Sequence, residues 1–164
     1  MKILQKEDEE QYKHFLEQEE NALFEHTTSW RDIMEKSFGF EAYYLIYKGS
    51  EGLVKGVLPL FKAKSIFGKR LVSTPYAVYT GMLAGDENVR KELINFAKKI
   101  TVKENLDFLE VRERDEINLD SDFKKVNTVF NFSLNLSGGV DEIWKKLPKR
   151  SVRWGIKKAQ KSGL

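Results

Sequence analysis

The stretch AYYLIYKGSEGLVKGVLPLFKAKSIFGKRLVST, Ala42–Thr74, decides the fold. Ala42–Tyr47 and Leu53–Ser65 are β-rich runs joined by a Gly49–Gly52 turn, so they read as a hairpin. The turn at Phe67–Lys69 leads into a third strand, Arg70–Thr74.

Upstream, Met1–Leu4 reads as a short strand and Glu7–Glu20 as a helix, acid-rich in its first turn as the helix dipole prefers. Ser29–Phe38 is a second helix, with Ser29 and Asp32 in capping-box spacing. Downstream, a Pro- and Gly-punctuated stretch, Pro75–Gly85, precedes the clearest helix, Asn88–Glu104. There Val89, Leu93, Phe96, Ala97 and Ile100 form an apolar face at helical spacing. Leu106–Val111 and Val126–Leu136 are further strands, and Val140–Leu147 and Lys149–Ser162 are the last helices. Strand, two helices, hairpin plus strand, helix, strand, strand is an α/β arrangement with a mixed sheet, in the order of the GNAT acyltransferase fold.

The 164 residues, 41% of them hydrophobic, suffice for one soluble domain with a core. Net charge is only +3, but it is unevenly distributed: residues 1–25 hold eight acids against three lysines, whereas Lys145–Lys161 carries eight basic residues and no acid. The absence of cysteine excludes disulfides, thiolate metal sites and a Cys nucleophile, and suits a reducing compartment. No apolar run has the length of a transmembrane segment and the N-terminus lacks a signal-peptide pattern, so a cytoplasmic location is expected.

In the basic end, WKKLPKRSVRWGIKKAQKSGL, Pro148 suits a first helical turn and Gly163 a C-terminal cap. At 100° per residue Arg150, Arg153, Lys157 and Lys161 share one face with Trp154, opposite Val152, Ile156 and Ala159. This is either a solvated surface helix or a phosphate-binding face, with Arg giving bidentate contacts and Lys point charges. Trp154 there would stack on a base or sugar, or seat another domain.

Several segments resemble the FemAB family: HTTSWRDI at His26–Ile33, GVLPLFKAKSIFGKRLVSTPY at Gly56–Tyr76, VYTGML at Val78–Leu83, LDFLEVR at Leu106–Arg112 and RWGIKKAQKSGL at Arg153–Leu164. Thr80–Gly81 stands where the family often has paired glycines, and Trp154 where it usually has a polar residue. The resemblance implies an aminoacyl- or peptidyl-type transferase built from two GNAT-like domains in tandem, many members of which extend peptidoglycan stem peptides. On that basis residues 1–147 are the N-terminal GNAT-like domain. Residues 148–164 are then a basic amphipathic helix leading to a second domain beyond Leu164. The implied partners are that domain and a cell-wall precursor as acceptor. The donor, acyl-CoA or aminoacyl-tRNA, and much of the acceptor would by that resemblance be held by the second domain.

An acyl-CoA site in a GNAT domain needs a Gly-rich loop whose backbone N–H groups cradle pyrophosphate. The corresponding stretch, Ser73–Asp86, has two widely spaced glycines, a proline and bulky aromatics, so no cofactor is expected in this domain. Tyr76 and Tyr79 offer hydroxyls and ring faces to a sugar or peptide, with Gly81 permitting close approach; alternatively they are packed turn residues. Glu110 and Arg112 share one strand face, as a mutual ion pair or as a cleft floor. Trp30 opens a helix beside His26, as a core residue or as a substrate-facing edge. With His14 and His26 the only histidines and no carboxylate at ligand spacing, no metal site is expected. No catalytic residue is identified. The candidate substrate-binding set is Trp30, Tyr76, Tyr79, Gly81, Glu110, Arg112, Arg150, Arg153, Trp154 and Lys157. The competing reading is a non-catalytic RNA-binding module acting through the basic helix.

Overall fold

The computed structural model describes residues 1–66, 68–114, 123–126 and 134–163. It divides into two compact units, Met1–Phe123 and Lys124–Leu164. In the first, β1 (Lys2–Ile3), β2 (Glu41–Lys48), β3 (Val54–Ser65) and β4 (Gly68–Val72) pair successively antiparallel. A two-residue strand, β5 (Leu83–Ala84), returns to β3, and β6 (Phe108–Glu110) lies parallel to β4. A parallel neighbour requires a crossover, and the helix Glu87–Lys103 stands between those strands in the chain. The chain is thus α/β with a mixed sheet of order β1-β2-β3-β4-β6.

The period-two alternation of β2 and β3 feeds two cores, one on each side of the sheet. Tyr43, Leu45, Leu58, Leu60 and Leu71 pack with Leu93, Ile94, Ala97 and Ile100 of the crossover helix. Tyr44, Ile46, Val57 and Phe61 pack with Leu4, Tyr12 and Met34, from the side carrying α1 (Glu9–Gln18) and α2 (Thr28–Phe38). Each such side chain, taken fully from water, contributes roughly 1.5–3 kcal/mol. The crossover helix, α3, is capped by Asp86, whose carboxylate accepts from Asn88 N and Val89 N at 2.7 and 3.2 Å. For α2 the cap is Thr27 rather than the expected Ser29: its hydroxyl accepts from Trp30 N at 3.2 Å.

Pro59 lies in the middle of β3, where a missing N–H would ordinarily break a ladder. It is opposite Tyr44, whose carbonyl points away, accepting from Leu4 N at 2.7 Å. Pro59 and Tyr44 are therefore a non-hydrogen-bonded pair, and the proline nitrogen faces the other edge of β3. That edge is served by β4 up to Phe61 and by β5 from Val57, leaving Leu58–Leu60 between them. Residues 73–82 leave the sheet across this gap. The strand expected to reach Thr74 ends at Val72 for the same reason.

In the second unit α4 spans Gly139–Lys146, and the expected helix Lys149–Ser162 divides into a π-helical turn, Lys149–Arg153, and α5, Trp154–Lys161. Arg153 N donates to Pro148 O at 3.1 Å, a five-residue step that defines the wider turn. Pro148 precedes the helical residues, and Gly163 follows them with φ +79°. The strand expected over Val126–Leu136 falls, apart from its ends, outside the described residues. No helix among the described residues is long and apolar enough to cross a membrane.

Candidate functional site

The loop 73–82 holds three residues in left-handed backbone: Thr74 (φ 45°), Tyr76 (φ 63°) and Gly81 (φ 67°). Such geometry is unfavourable for a β-branched or bulky residue and persists only where the surroundings fix it. Here the fixing element is the chain that leaves β6. Ser73 N donates to Glu110 O at 2.9 Å, and Thr80 N to Arg112 O at 3.1 Å. Arg112 N donates to the Ser73 hydroxyl at 2.7 Å, and its guanidinium to Ala77 O at 3.0 Å. The Thr74 and Thr80 hydroxyls bond each other inside the loop, and Met82 N donates to the Glu113 carboxylate at 2.9 Å. That carboxylate also fills the space where a Gly81 side chain would lie.

His26 approaches the same loop from the turn before α2. Its ring is fully buried; Leu23 N donates to Nδ1 at 2.9 Å, which leaves the ring proton on Nε2. Burial pushes the imidazole down to about 4, against the Gly81 and Thr80 backbone groups, which favour the charged form. The turn itself is held by two tyrosines. Tyr12 OH donates to His26 O at 2.5 Å, and Tyr44 OH to Glu25 O at 3.0 Å. Burial raises both phenols.

Tyr76 points outward, 71% exposed, with its ring 5.0 Å from that of Phe38 and 6.1 Å from that of Phe40; Phe40 in turn meets buried Phe61. Register places Phe61, Val72 and Glu110 in one row across the sheet, with Ala63, Arg70 and Phe108 in the next row on that face. Arg70 lies over the Phe108 ring at 6.0 Å and reaches Glu110 at 3.5 Å. Glu110 and Arg112 form the mutual ion pair, Oε1 to Nε 2.7 Å, while Leu109 and Val111 join the opposite core. The resulting surface is an aromatic shelf beside a charged strip. Tyr79 is half-buried in the same loop. Trp30 packs against the core shared by α1 and α2, edge-on to Phe24 at 5.8 Å, with its buried Nε1 lacking a hydrogen-bond partner among the described residues.

Chemically, the loop offers ring faces, hydroxyls and carbonyls, but the N–H groups of Ser73, Thr80 and Met82 are already engaged. A carboxylate stands at its one buried glycine. Among the described residues no three His, Cys, Asp or Glu side chains gather as metal ligands.

In the second unit the four predicted residues part ways. Arg153 is half-buried: Nε donates to Leu147 O at 2.8 Å, another guanidinium nitrogen bonds Lys145 O, and the group sits 5.7 Å over Trp144. It closes the turn between α4 and α5. Arg150, Trp154 and Lys157 are exposed. His26, Glu113, Phe38 and Phe40 belong to the first site without having been picked out as site residues. Glu113 carries no sequence signal at all, whereas the pairing of aromatics at Phe38 and Phe40 after a helix end was a usable one. No protein-family model matches the chain, and no curated protein matches it.

Proposed function

We propose that this chain is the N-terminal half of a FemAB-like aminoacyl- or acyltransferase with a GNAT-like fold, contributing to the binding of an acceptor such as a cell-wall precursor peptide. Four successively antiparallel strands, a crossover helix and a strand parallel to the fourth agree with the order read from the sequence. The observation that carries the functional reading is loop 73–82. Where a CoA-binding domain would present free amides to a pyrophosphate, this loop engages the amides of Ser73, Thr80 and Met82 and sets the Glu113 carboxylate against Gly81. Repulsion between that carboxylate and a diphosphate argues against the donor at this position. The exposed Tyr76–Phe38 shelf and the adjoining Arg70–Glu110–Arg112 strip suit a sugar–peptide ligand, which needs ring faces and paired charges.

In the reaction, an acceptor amine attacks the carbonyl carbon of the donor's ester or thioester, and the alcohol or thiol leaves. The described residues contribute position rather than chemistry: they hold the acceptor so that its amine meets the donor. The reading is tested by acyl transfer from aminoacyl-tRNA or acyl-CoA to a muramyl peptide. The 164-residue chain alone should be inactive, and a version extended by a second α/β domain active; equal turnover by the two contradicts it.

A further inference from the structure

We propose that the cationic face of α5 binds single-stranded nucleic acid, with Trp154 as the platform on which a base stacks. This rests on the second unit alone and is independent of the acceptor reading.

Residues 124–164 carry ten basic side chains against two acids, Asp141 and Glu142. Glu142 is paired with Lys146 at 2.5 Å. Among the described residues none of Lys149, Arg150, Lys157 or Lys161 is paired with a carboxylate, and all four are exposed. On α5, helical steps set Lys157, Lys158 and Lys161 within about 60° of Trp154. Ile156 and Ala159 lie on the other side and are half-buried. Trp154 is 60% exposed, and Lys158 Nζ lies 5.1 Å from its ring centroid.

The position of the indole selects the class of partner. In a helix lying on a membrane, tryptophan belongs with the apolar side chains that enter the lipid. Here it stands among the cations, away from Ile156 and Ala159. A ligand reaching it must carry a flat apolar face and negative charge on either flank, which is the chemistry of an unpaired base between phosphates. Arg153, engaged with backbone carbonyls and Trp144, is the residue that holds this face in place rather than a contact.

The test is fluorescence anisotropy of a labelled short oligouridylate titrated with the full chain over a range of salt. Three to five phosphate contacts predict a log–log salt slope of about −2 to −3.5. Trp154→Ala, at an exposed position, should retain the fold by circular dichroism, weaken binding about ten-fold and keep the slope. The double reversal Lys157→Glu with Lys161→Glu should weaken it about a hundred-fold and flatten the slope. A heparin fragment, charged but without bases, should be indifferent to Trp154→Ala. The proposal is overturned by absence of binding at low salt or by oligouridylate affinity unchanged in Trp154→Ala. It is equally overturned by tighter, Trp154-dependent binding to phosphatidylserine vesicles.

Discussion

The Glu113 carboxylate occupies the volume that a side chain on Gly81 would need, while accepting the neighbouring Met82 N–H at 2.9 Å. Sequence places these residues far apart; the loop across the gap in β3 brings them together. Gly81→Ala would meet both a left-handed backbone, φ 67°, and the displaced acid. We expect a loss of about 2 kcal/mol in urea unfolding, from the backbone alone or more. Adding Glu113→Ala should recover part of it, a coupling that a double-mutant cycle reads directly.

His26 gives the same loop an acid dependence. A buried histidine with its folded value pushed down to about 4 takes up a proton less readily than in the unfolded chain, at about 6.5. Its contribution is complete above pH 6.5 and declines as pH falls towards 4, because the unfolded state binds the extra proton there. Unfolding measured across that window should lose roughly 3 kcal/mol on this account. In a Tyr12→Phe background, which frees the His26 carbonyl, the starting stability should be lower by about 1 kcal/mol.

Asp8 should govern a separate, more acidic window. Burial would raise its carboxyl, but Lys2 and Lys48 at 2.7 and 2.8 Å and the Gln5 amide outweigh it and hold the group at about 2. With the folded value below the unfolded 3.8, the stabilisation is present above pH 4 and lost as pH falls towards 2. Asp8→Ala leaves two ammonium groups beside a vacated buried position and should cost about 3 kcal/mol at neutral pH. The same substitution should flatten the stability–pH curve below pH 4.

Arg153 and Arg150 are predicted to behave differently although the sequence sets them on one helix face. Arg153→Ala removes the bonds to Leu147 O and Lys145 O and the contact over Trp144. It should lower helix content and change Trp144 fluorescence, with a loss of about 1–3 kcal/mol. Arg150→Ala should change neither.

What could be read in advance followed from local chemistry. The hairpin and the third strand are written in β-rich runs and their turn residues, the apolar face of α3 in helical spacing, and they appear within a few residues of their expected bounds. Ile94, missed from that face, lies beside Leu93, where a strict i, i+4 reading has no place for it. The Glu110–Arg112 pair was legible because period two puts both residues on one face. β5 was not: two residues at the end of the Pro75–Gly85 stretch give no periodic signal, and only the gap in β3 explains them. Nor could the division of the basic helix be foreseen, since the π-helical turn is fixed by Arg153 reaching back to two carbonyls. Likewise, the sequence argues only against His26 as a metal ligand, whereas its location beside Thr80 and Gly81 depends on tertiary packing.

Proton–nitrogen correlation spectra of the full chain, titrated with a muramyl pentapeptide and separately with acetyl-CoA, test the central claim most directly. The muramyl peptide should shift the amides of Tyr76–Gly81 and Glu110–Arg112, with affinity lowered at least several-fold in Tyr76→Ala, while acetyl-CoA leaves them in place. Saturable shifts of the Ser73–Met82 amides by acetyl-CoA, with none from the peptide, would contradict it.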